Sequence, residues 1–246
     1  MNATRLTTHA EIAGTPALLN RRALLRVVSG AGAAAAFPAL LGCTSAPTKH
    51  PKGSGTSSEA VTATPGTMVM VIRHAEKPAK SGAGGAGISL SGASDVFHSL
   101  TERGWTRAAD LVALFTPAGA RALPTPTVIY ASGVGAGDGE GTRPRQTVGP
   151  VAAELGIPVD TDFSRGQETA LAQHAAAQPG PTLICWQHES IPAIGAAFAP
   201  ATLIPPTVWP DERYDVVWVF TATDNGWQFE QVPERLLPDD ADTAIP

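Results

Sequence analysis

Three short apolar runs, each bounded by polar or turn-forming residues, constrain most strongly how this chain can fold. They cover residues 68–72, 127–131 and 182–186. A strand inside a parallel sheet has helices packed on both of its faces, so its side chains are apolar without the polar alternation of a half-exposed strand. Runs of about five residues match strands, whereas a buried helix needs about ten or more. The three runs therefore predict interior strands of a parallel sheet.

Amphipathic stretches separate the apolar runs and predict helices. Over residues 100–115, Ala108, Leu111 and Phe115 fall on one helical face, and Thr101 is placed to cap the first turn. Further elements are predicted at residues 142–155, 168–178 and 191–198, as helices, and at 157–159, as a brief strand.

The last two apolar runs predict a β-hairpin. Residues 216–220 and 227–232 have strand character, and the Asn225-Gly226 dipeptide between them is typical of a tight turn. Strands that alternate with helices form layered α/β domains. The sequence therefore predicts an α/β domain over residues 67–246, a three-layer sandwich with a mainly parallel central sheet and a C-terminal β-hairpin.

Residues 1–42 have the composition of an export signal. Arg21-Arg22 precedes an apolar, Gly/Ala-rich stretch that is too short for a transmembrane helix, which needs about 20 apolar residues. This arrangement matches a twin-arginine signal peptide, and Leu40-Leu41-Gly42-Cys43 resembles the lipobox at which bacterial lipoproteins are cleaved and acylated. We expect a signal peptide over residues 1–42, a lipid on Cys43 and a flexible tether over residues 43–66.

These signals predict an exported protein whose lipid anchors it to the extracytoplasmic face of the cell membrane. An ordinary cleaved signal with an incidental Cys43 is the alternative. The leader contains four Arg and one Glu, a formal charge of +3, so the full-chain charge of −5 leaves −8 on the remainder. So acidic a chain does not suit nucleic acid, whose phosphates bind basic surfaces. With Cys43 acylated, Cys185 is the one other thiol, and its apolar run predicts a buried side chain.

Charged residues follow the predicted parallel strands at the ends where such sheets bind ligands. Arg73-His74 follows the first run, Ser132 and then Arg143 follow the second, and His188-Glu189 follows the third. Two His and two Arg at one edge suit transfer of a phosphoryl group through a histidine. One imidazole attacks phosphorus, the guanidinium groups hold the non-bridging oxygens, and the second imidazole completes the anion pocket.

The segment Val71-Ile-Arg-His-Ala-Glu76 resembles the Arg-His-Gly signature of the histidine phosphatase (phosphoglycerate mutase-like) superfamily. Four more stretches are similar to that family in the same order: Leu100-Thr-Glu-Arg-Gly104, Tyr130-Ala-Ser132, Arg143-Pro-Arg-Gln-Thr147 and Leu183-Ile-Cys-Trp-Gln-His188. The resemblance implies that His74 is the phosphorylated nucleophile, that Arg73 and Arg143 clamp the phosphate, and that His188 is the second pocket histidine. It implies no metal and no cofactor.

The sequence departs from the family in two places. Ala75 replaces the Gly of the signature, and we expect its methyl group to leave the pocket intact but tighter. The loop over residues 133–142 is long, and its acidic Asp138 and Glu140 are expected to repel anionic groups nearby. Arg145 does not match the phosphate-contacting Arg of the family and is interpreted as a surface or helix-supporting residue.

A carboxyl group has to protonate the leaving oxygen, and it must hold a proton near the working pH. Glu168 ranks first, because one branch of the family carries its acid between the short third strand and the next helix. Glu189, directly after the second His, ranks second, and Glu76 ranks third by its nearness to His74. Each of the three is also explained as an acid at a helix N-terminus, where the helix dipole favours negative charge.

A zinc site of His74, His188 and Glu189 is a competing interpretation. It is disfavoured because Arg73 and Arg143 would repel a cation, whereas they suit an oxyanion. Six other residues are interpreted as structural: His98, His174, Trp186, Trp209, Trp218 and Trp227.

The sequence thus predicts a phosphomonoesterase that acts through a phosphohistidine on a phosphorylated small molecule outside the cytoplasm. The alternative is a catalytically weak lipoprotein that binds a phosphorylated ligand. No sequence feature specifies an oligomeric state.

Overall fold

The computed structural model describes residues 61–62, 64–78, 98–117, 123–134, 142–200 and 202–246. The predicted signal peptide (1–42), Cys43 and most of the predicted tether (43–66) lie outside these residues. So do residues 79–97 and the middle of the predicted 133–142 loop, including Asp138 and Glu140. Within the described part, no helix is both long enough and apolar enough to cross a membrane.

Strands and helices alternate along the described chain. They are β1 (Met68–Arg73), α1 (Glu102–Phe115), β2 (Val128–Ala131), α2 (Thr142–Leu155), β3 (Val159–Asp160), α3 (Glu168–Ala176), β4 (Thr182–Trp186), α4 (Ile191–Phe198), β5 (Val216–Thr223) and β6 (Gly226–Pro233). Every predicted element is present, with ends that differ from the prediction by no more than three residues.

The six strands form one sheet in the order β3-β2-β4-β1-β5-β6. The first four strands of the chain run parallel, and β5 runs antiparallel to both β1 and β6. The central strand β1 therefore has a parallel neighbour on one side, with Val71 beside Ile184, and an antiparallel neighbour on the other, with Val71 beside Trp218. This topology confirms a mainly parallel sheet with a C-terminal hairpin.

Alternate residues of the central strands enter two different cores. Val71 and Ile184 pack with residues of α3 and α4, whereas Ile72 and Cys185 pack with residues of α1 and α2. All four side chains are fully buried, which explains why the strand sequences are continuously apolar. A helical layer on each face of the sheet makes the predicted three-layer sandwich.

The hairpin turn lies one position earlier than predicted. Thr223 pairs with Gly226, so the loop residues are Asp224 and Asn225 rather than Asn225 and Gly226. Gly226 has a φ of +98°, while neither loop residue is among the described residues with positive φ. A turn whose two loop residues both have negative φ is commonly followed by a residue with positive φ. Glycine adopts a positive φ at the least cost. Gly226 is therefore needed after the turn and not within it.

Arg107 of α1 is almost fully buried and is surrounded by three carboxylates. Its Nη1 donates to Glu234 Oε2 at 2.8 Å, and its Nη2 donates to Asp240 Oδ1 at 2.6 Å and to Glu76 Oε1 at 2.9 Å. We call these four residues the Arg107 cluster. It joins α1 to the segments that follow β1 and β6.

Three acidic side chains share one buried cation in the Arg107 cluster, and the pKa values of Arg107 and Glu234 are both shifted. Burial acts to lower the pKa of Arg107, but Asp240, Glu234 and Glu76 together raise it above its ordinary value. Burial raises the pKa of Glu234 to about 8, and the nearby Asp240 and Asp215 add to the effect while Arg107 opposes it. Glu234 therefore keeps a proton in the neutral range.

Replacing Arg107 by Met should destabilise the protein by about 3–5 kcal/mol, because buried carboxylates would lose their cation. Urea unfolding at neutral pH measures this loss. Arg103→Met is the matched control, since Arg103 pairs with the same Glu76 from a side chain that is 43% exposed, and should cost about 1 kcal/mol or less. Equal losses in the two variants would contradict the central place of Arg107.

The pKa of Glu234 predicts how stability changes with pH. Its ordinary value is 4.5 and its folded value is about 8, so the folded state binds this proton more tightly. The resulting stabilisation is fully present below the unfolded pKa and is lost as pH rises through the folded pKa. Urea unfolding of wild type and Glu234→Gln should show the wild type losing about 2–5 kcal/mol relative to the variant between pH 5 and pH 9. Parallel stability curves would argue against a protonated Glu234.

Candidate active site

The predicted site residues meet at the carboxyl edge of the sheet. Because β1 and β4 are parallel neighbours, Arg73-His74 and His188 emerge side by side, and the His74 N–H donates to the Trp186 carbonyl at 3.0 Å. Ser132, after β2, donates its N–H to the Cys185 carbonyl at 3.3 Å. The strand-end argument therefore located this edge of the molecule from sequence alone.

His74 is buried and has a defined tautomer. Its Nδ1 lies 2.7 Å from the carbonyl oxygen of Ala75. A carbonyl only accepts, so Nδ1 carries the hydrogen and Nε2 carries the lone pair. Burial, followed by the charge of Arg73, holds the pKa of His74 well below its usual range, and Arg143 and Lys77 act in the same direction. His74 is thus a neutral imidazole whose Nε2 is able to act as a nucleophile.

Arg73 is a buried guanidinium of which only one nitrogen is satisfied by the described residues. Its Nη1 donates to the carbonyls of Pro210, Asp211 and Arg213 at 3.1, 2.7 and 2.9 Å. Its Nε and Nη2, also buried, have no hydrogen-bond partner within the described chain. Unpaired buried donors are costly, and two adjacent N–H groups fit a phosphate in bidentate fashion. This edge of Arg73 is suited to an oxyanion.

The segment 209–215, between α4 and β5, holds Arg73 in place. Besides the three carbonyls, Tyr214 lies under the guanidinium, with the Arg73 Cζ atom 3.8 Å from the ring centre. Sequence analysis missed this segment. The signal was topological: β5 runs antiparallel to β1, so the residues that precede β5 lie at the same edge as the end of β1.

His188 is buried and lies between two carboxylates. Its Nε2 donates a hydrogen bond to the carboxylate of Asp211, and its Nδ1 lies 3.0 Å from Glu189 Oε2. Burial and the charge of Arg73 lower the pKa of His188, although Glu189 and Asp211 act to raise it. Because its pKa is lowered, His188 is neutral, and the bond to Asp211 places its one ring hydrogen on Nε2. Asp211 did not emerge from the sequence as a site residue.

Arg143 and Lys77 add positive charge around His74. Arg143 lies buried in the first turn of α2, and it acts electrostatically on both His74 and Lys77. Lys77 is half-buried and also interacts with Arg73 and Glu189; burial is the main cause that lowers its pKa. Sequence analysis overlooked Lys77, three residues after His74.

Ala75 does not crowd the nucleophile from within the pocket. Its side chain is fully buried in a small cluster with Leu100 and Ala108, on the side of α1. Its N–H donates to Thr147 Oγ1 at 2.8 Å, and Thr147 in turn donates to the Arg143 carbonyl at 2.9 Å. The methyl group expected to tighten the pocket thus packs against apolar neighbours.

The three carboxylates named from sequence have different surroundings. Glu168 is buried, and its Oε1 accepts hydrogen bonds from Trp186 Nε1 and from the Gly166 N–H, each at 3.1 Å. Burial acts to raise the pKa of Glu189, but its own backbone N–H and His188 lower it below its usual value. Glu76 belongs to the Arg107 cluster.

Several residues interpreted as structural are packed as expected. His174 Nδ1 is hydrogen bonded to the Tyr130 hydroxyl at 2.8 Å. Cys185 is buried, and burial raises the pKa of its thiol well above the usual value, so it is unreactive. The Trp186, Trp209, Trp218 and Trp227 side chains lie in the core. Across the described ranges no three His, Cys, Asp or Glu side chains group as a metal site.

The fold and the site together define an α/β protein in which buried His and Arg side chains meet at the carboxyl edge of the sheet. No protein-family model matches the chain, and no curated protein matches it.

Solved structures with a similar fold include proteins described as histidine phosphatases. One is assigned as the phosphohistidine phosphatase SixA from Agrobacterium tumefaciens, with 19% identity, a TM-score of 0.38 and coverage of 67% of this chain and 95% of that one. A second is the protein histidine phosphatase SixA complexed with tungstate, with 18% identity, a TM-score of 0.41 and coverage of 68% and 97%. A third is assigned as an alpha-ribazole-5'-P phosphatase from Escherichia coli, with 13% identity, a TM-score of 0.40 and coverage of 70% and 98%.

Arg73 Nε and Nη2 have no partner in the described chain, and we predict that anion binding weakens when this pair of donors is removed. Arg73→Lys should keep the charge but lose bidentate contact, and so weaken orthovanadate binding by about 10- to 100-fold. Calorimetric titration measures the affinity. Arg145→Lys, an exposed position of α2 in the same motif, is the control and should change it by less than about twofold. Unchanged affinity in Arg73→Lys would show that the Nε and Nη2 groups of Arg73 do not bind the anion.

Proposed function

We propose that the protein is a phosphomonoesterase that transfers a phosphoryl group to His74 and then to water. The observation that carries this proposal is that the neutral imidazole of His74 lies next to unpaired, buried N–H donors of Arg73. His74 presents a lone pair on Nε2, and the neighbouring Arg73 presents two buried N–H donors without a partner in the described chain. A phosphate ester satisfies both at once.

The reaction has two steps. His74 Nε2 attacks phosphorus, the P–N bond forms, and the ester P–O bond breaks with its electron pair on the leaving oxygen, which takes a proton. Water then attacks the phosphohistidine, the P–N bond breaks, and phosphate leaves with His74 restored to its neutral form. Arg73 and Arg143 hold the non-bridging oxygens, and His188 donates a further hydrogen bond to them.

The positive charge required for this chemistry is supplied by the chain itself. Arg73, Arg143 and Lys77 interact electrostatically around His74. A loose phosphoryl-transfer transition state needs chiefly such preorganised positive charge. We therefore infer an enzyme that needs neither metal nor cofactor.

The substrate class and the location of the enzyme are part of the proposal. The pocket lies at the edge of a domain whose sequence carries an acidic charge, which suits a phosphorylated small molecule held by a few local cations rather than a polyanion. The leader over residues 1–42 and Cys43 support export and a lipid anchor on the extracytoplasmic face of the membrane.

A catalytically weak phospho-ligand-binding lipoprotein is the second candidate. It is favoured by the surroundings of Glu168 and Glu189, the first two of the three acids named from sequence as proton donors. Glu168 Oε1 already accepts two hydrogen bonds, and the pKa of Glu189 is lowered despite partial burial, chiefly through its own backbone N–H and His188. Activity measurements separate this candidate from the enzyme.

Purified protein should hydrolyse p-nitrophenyl phosphate in the presence of a metal chelator, and orthovanadate should inhibit it. His74→Ala should lower turnover by at least about 1000-fold, because no phosphohistidine forms. His174→Ala, at a histidine bonded to Tyr130, is the control and should retain activity. Normal turnover in His74→Ala would overturn the mechanism. Wild-type protein that binds vanadate without turnover over a wide pH range would support the binding protein.

A further inference from the structure

Asp211 has an unusual combination of contacts and exposure. Its side chain is 83% exposed, yet its carboxylate accepts a hydrogen bond from the buried His188 Nε2. Its backbone carbonyl accepts from Arg73 Nη1 at 2.7 Å. Asp211 is therefore positioned by the two side chains that would hold the phosphate, while its carboxylate lies at the solvent side of the pocket.

The in-line geometry of phosphoryl transfer decides where a proton donor must lie. The nucleophile and the leaving oxygen occupy opposite sides of the phosphorus atom. His74 is 2% exposed, so an ester has to reach it from the solvent side and its leaving oxygen would point away from His74 towards solvent. The Asp211 side chain is 83% exposed, whereas Glu168 is buried and bonded to Trp186 and Gly166.

Glu189 is the other partly exposed acid near His188. His188 Nδ1 has no hydrogen-bond partner among the described residues, although Glu189 Oε2 lies 3.0 Å away. The hydrogen of the imidazole is instead directed to Asp211. A neutral imidazole donates through one nitrogen only, so the structure pairs His188 with Asp211 rather than with Glu189.

We propose that Asp211, which His188 holds at the site before substrate binds, protonates the leaving oxygen and later activates the water. This inference rests on the proposed function and adds a catalytic residue to it.

The step balances as follows. As the P–Nε2 bond to His74 forms and the P–O bond breaks, the carboxylic acid of Asp211 gives its proton to the leaving oxygen and becomes a carboxylate. In the second step this carboxylate takes a proton from the attacking water, whose oxygen bonds to phosphorus as the P–N bond breaks. Phosphate leaves, and Asp211 is again protonated.

Substrate binding provides the means to protonate Asp211. Without substrate, the hydrogen bond of His188 holds the pKa of Asp211 below its usual value, and Lys77 and Arg73 act in the same direction. A bound phosphate dianion neutralises Arg73 and Lys77 and accepts the hydrogen bond of His188. The causes that lower the pKa are then removed, and a nearby negative charge raises it.

The test compares substrates whose leaving groups need protonation to different degrees. Asp211→Asn retains an oxygen acceptor for His188 but carries no transferable proton. We expect kcat/KM for an alkyl phosphate such as glycerol phosphate to fall by about 10²- to 10⁴-fold. We expect less than about a tenfold loss for p-nitrophenyl phosphate, whose leaving group departs as a stable anion. The ratio kcat/KM reports the steps up to release of the leaving group, so slower hydrolysis of phosphohistidine does not obscure the comparison.

Glu212→Gln is the matched control, because Glu212 is an adjacent, exposed acid, and should leave both substrates unaffected. Asp211→Ala should show the same selective loss as Asp211→Asn. Equal losses on both substrates, or no loss on either, would overturn the role of Asp211 while leaving the phosphatase intact. Absence of wild-type turnover on both substrates, with vanadate still bound, would overturn the proposed function and this role with it.

Discussion

The buried guanidinium of Arg73 is the feature on which the rest of the site depends. A cation removed from water is stable only when fixed acceptors replace its hydration, and here three backbone carbonyls converge on one nitrogen while Tyr214 covers one face of the group. These contacts satisfy one side of the guanidinium and fix the fold of the 209–215 segment. They leave Nε and Nη2 on the other side unpaired within the described chain, so the same interaction that orders the segment also orients the edge to which we assign anion binding.

The backbone after His74 is held from both neighbouring helices. From α2, Thr147 accepts the N–H of Ala75, and from α1, Thr101 donates its N–H to the Glu76 carbonyl at 3.0 Å. A Cβ atom on Gly104 would lie 2.6 Å from that carbonyl oxygen, so α1 approaches this closely only because residue 104 is glycine. Arg107 also holds the Glu76 side chain by hydrogen bonds. The imidazole of His74 thus projects from a backbone that has little freedom to move, which is what a preorganised nucleophile requires.

Much of this arrangement was predictable from sequence because it depends on neighbours along the chain. Continuous apolar runs indicated interior strands, a Thr before an amphipathic stretch indicated a helix start, and polar residues directly after strands indicated the ligand-binding edge. In this way the sequence placed His74, Arg73 and His188 together at one edge of the sheet, where the structure also has them. The turn at Asp224 was misplaced by one residue, since Asn-Gly signals a tight turn but does not say whether the glycine lies within it or after it. The Arg107 cluster escaped detection because Glu234 and Asp240 lie more than 100 residues from Arg107 in the chain, and nothing local marks an Arg of an amphipathic helix as buried.

By itself, therefore, the sequence determined the strands and helices, the mainly parallel sheet, and the strand ends at which His74 and His188 lie. Side-chain periodicity and local chain direction are sufficient to predict those features. Only the tertiary structure decided that β5 runs antiparallel beside β1 and so brings Tyr214 under Arg73 and Asp211 against His188. It also decided that the Ala75 methyl group packs under α1 and that Glu76 serves the Arg107 cluster. Such contacts join residues far apart in the chain, and they form only when burial and hydrogen bonding fix the positions of whole segments relative to one another.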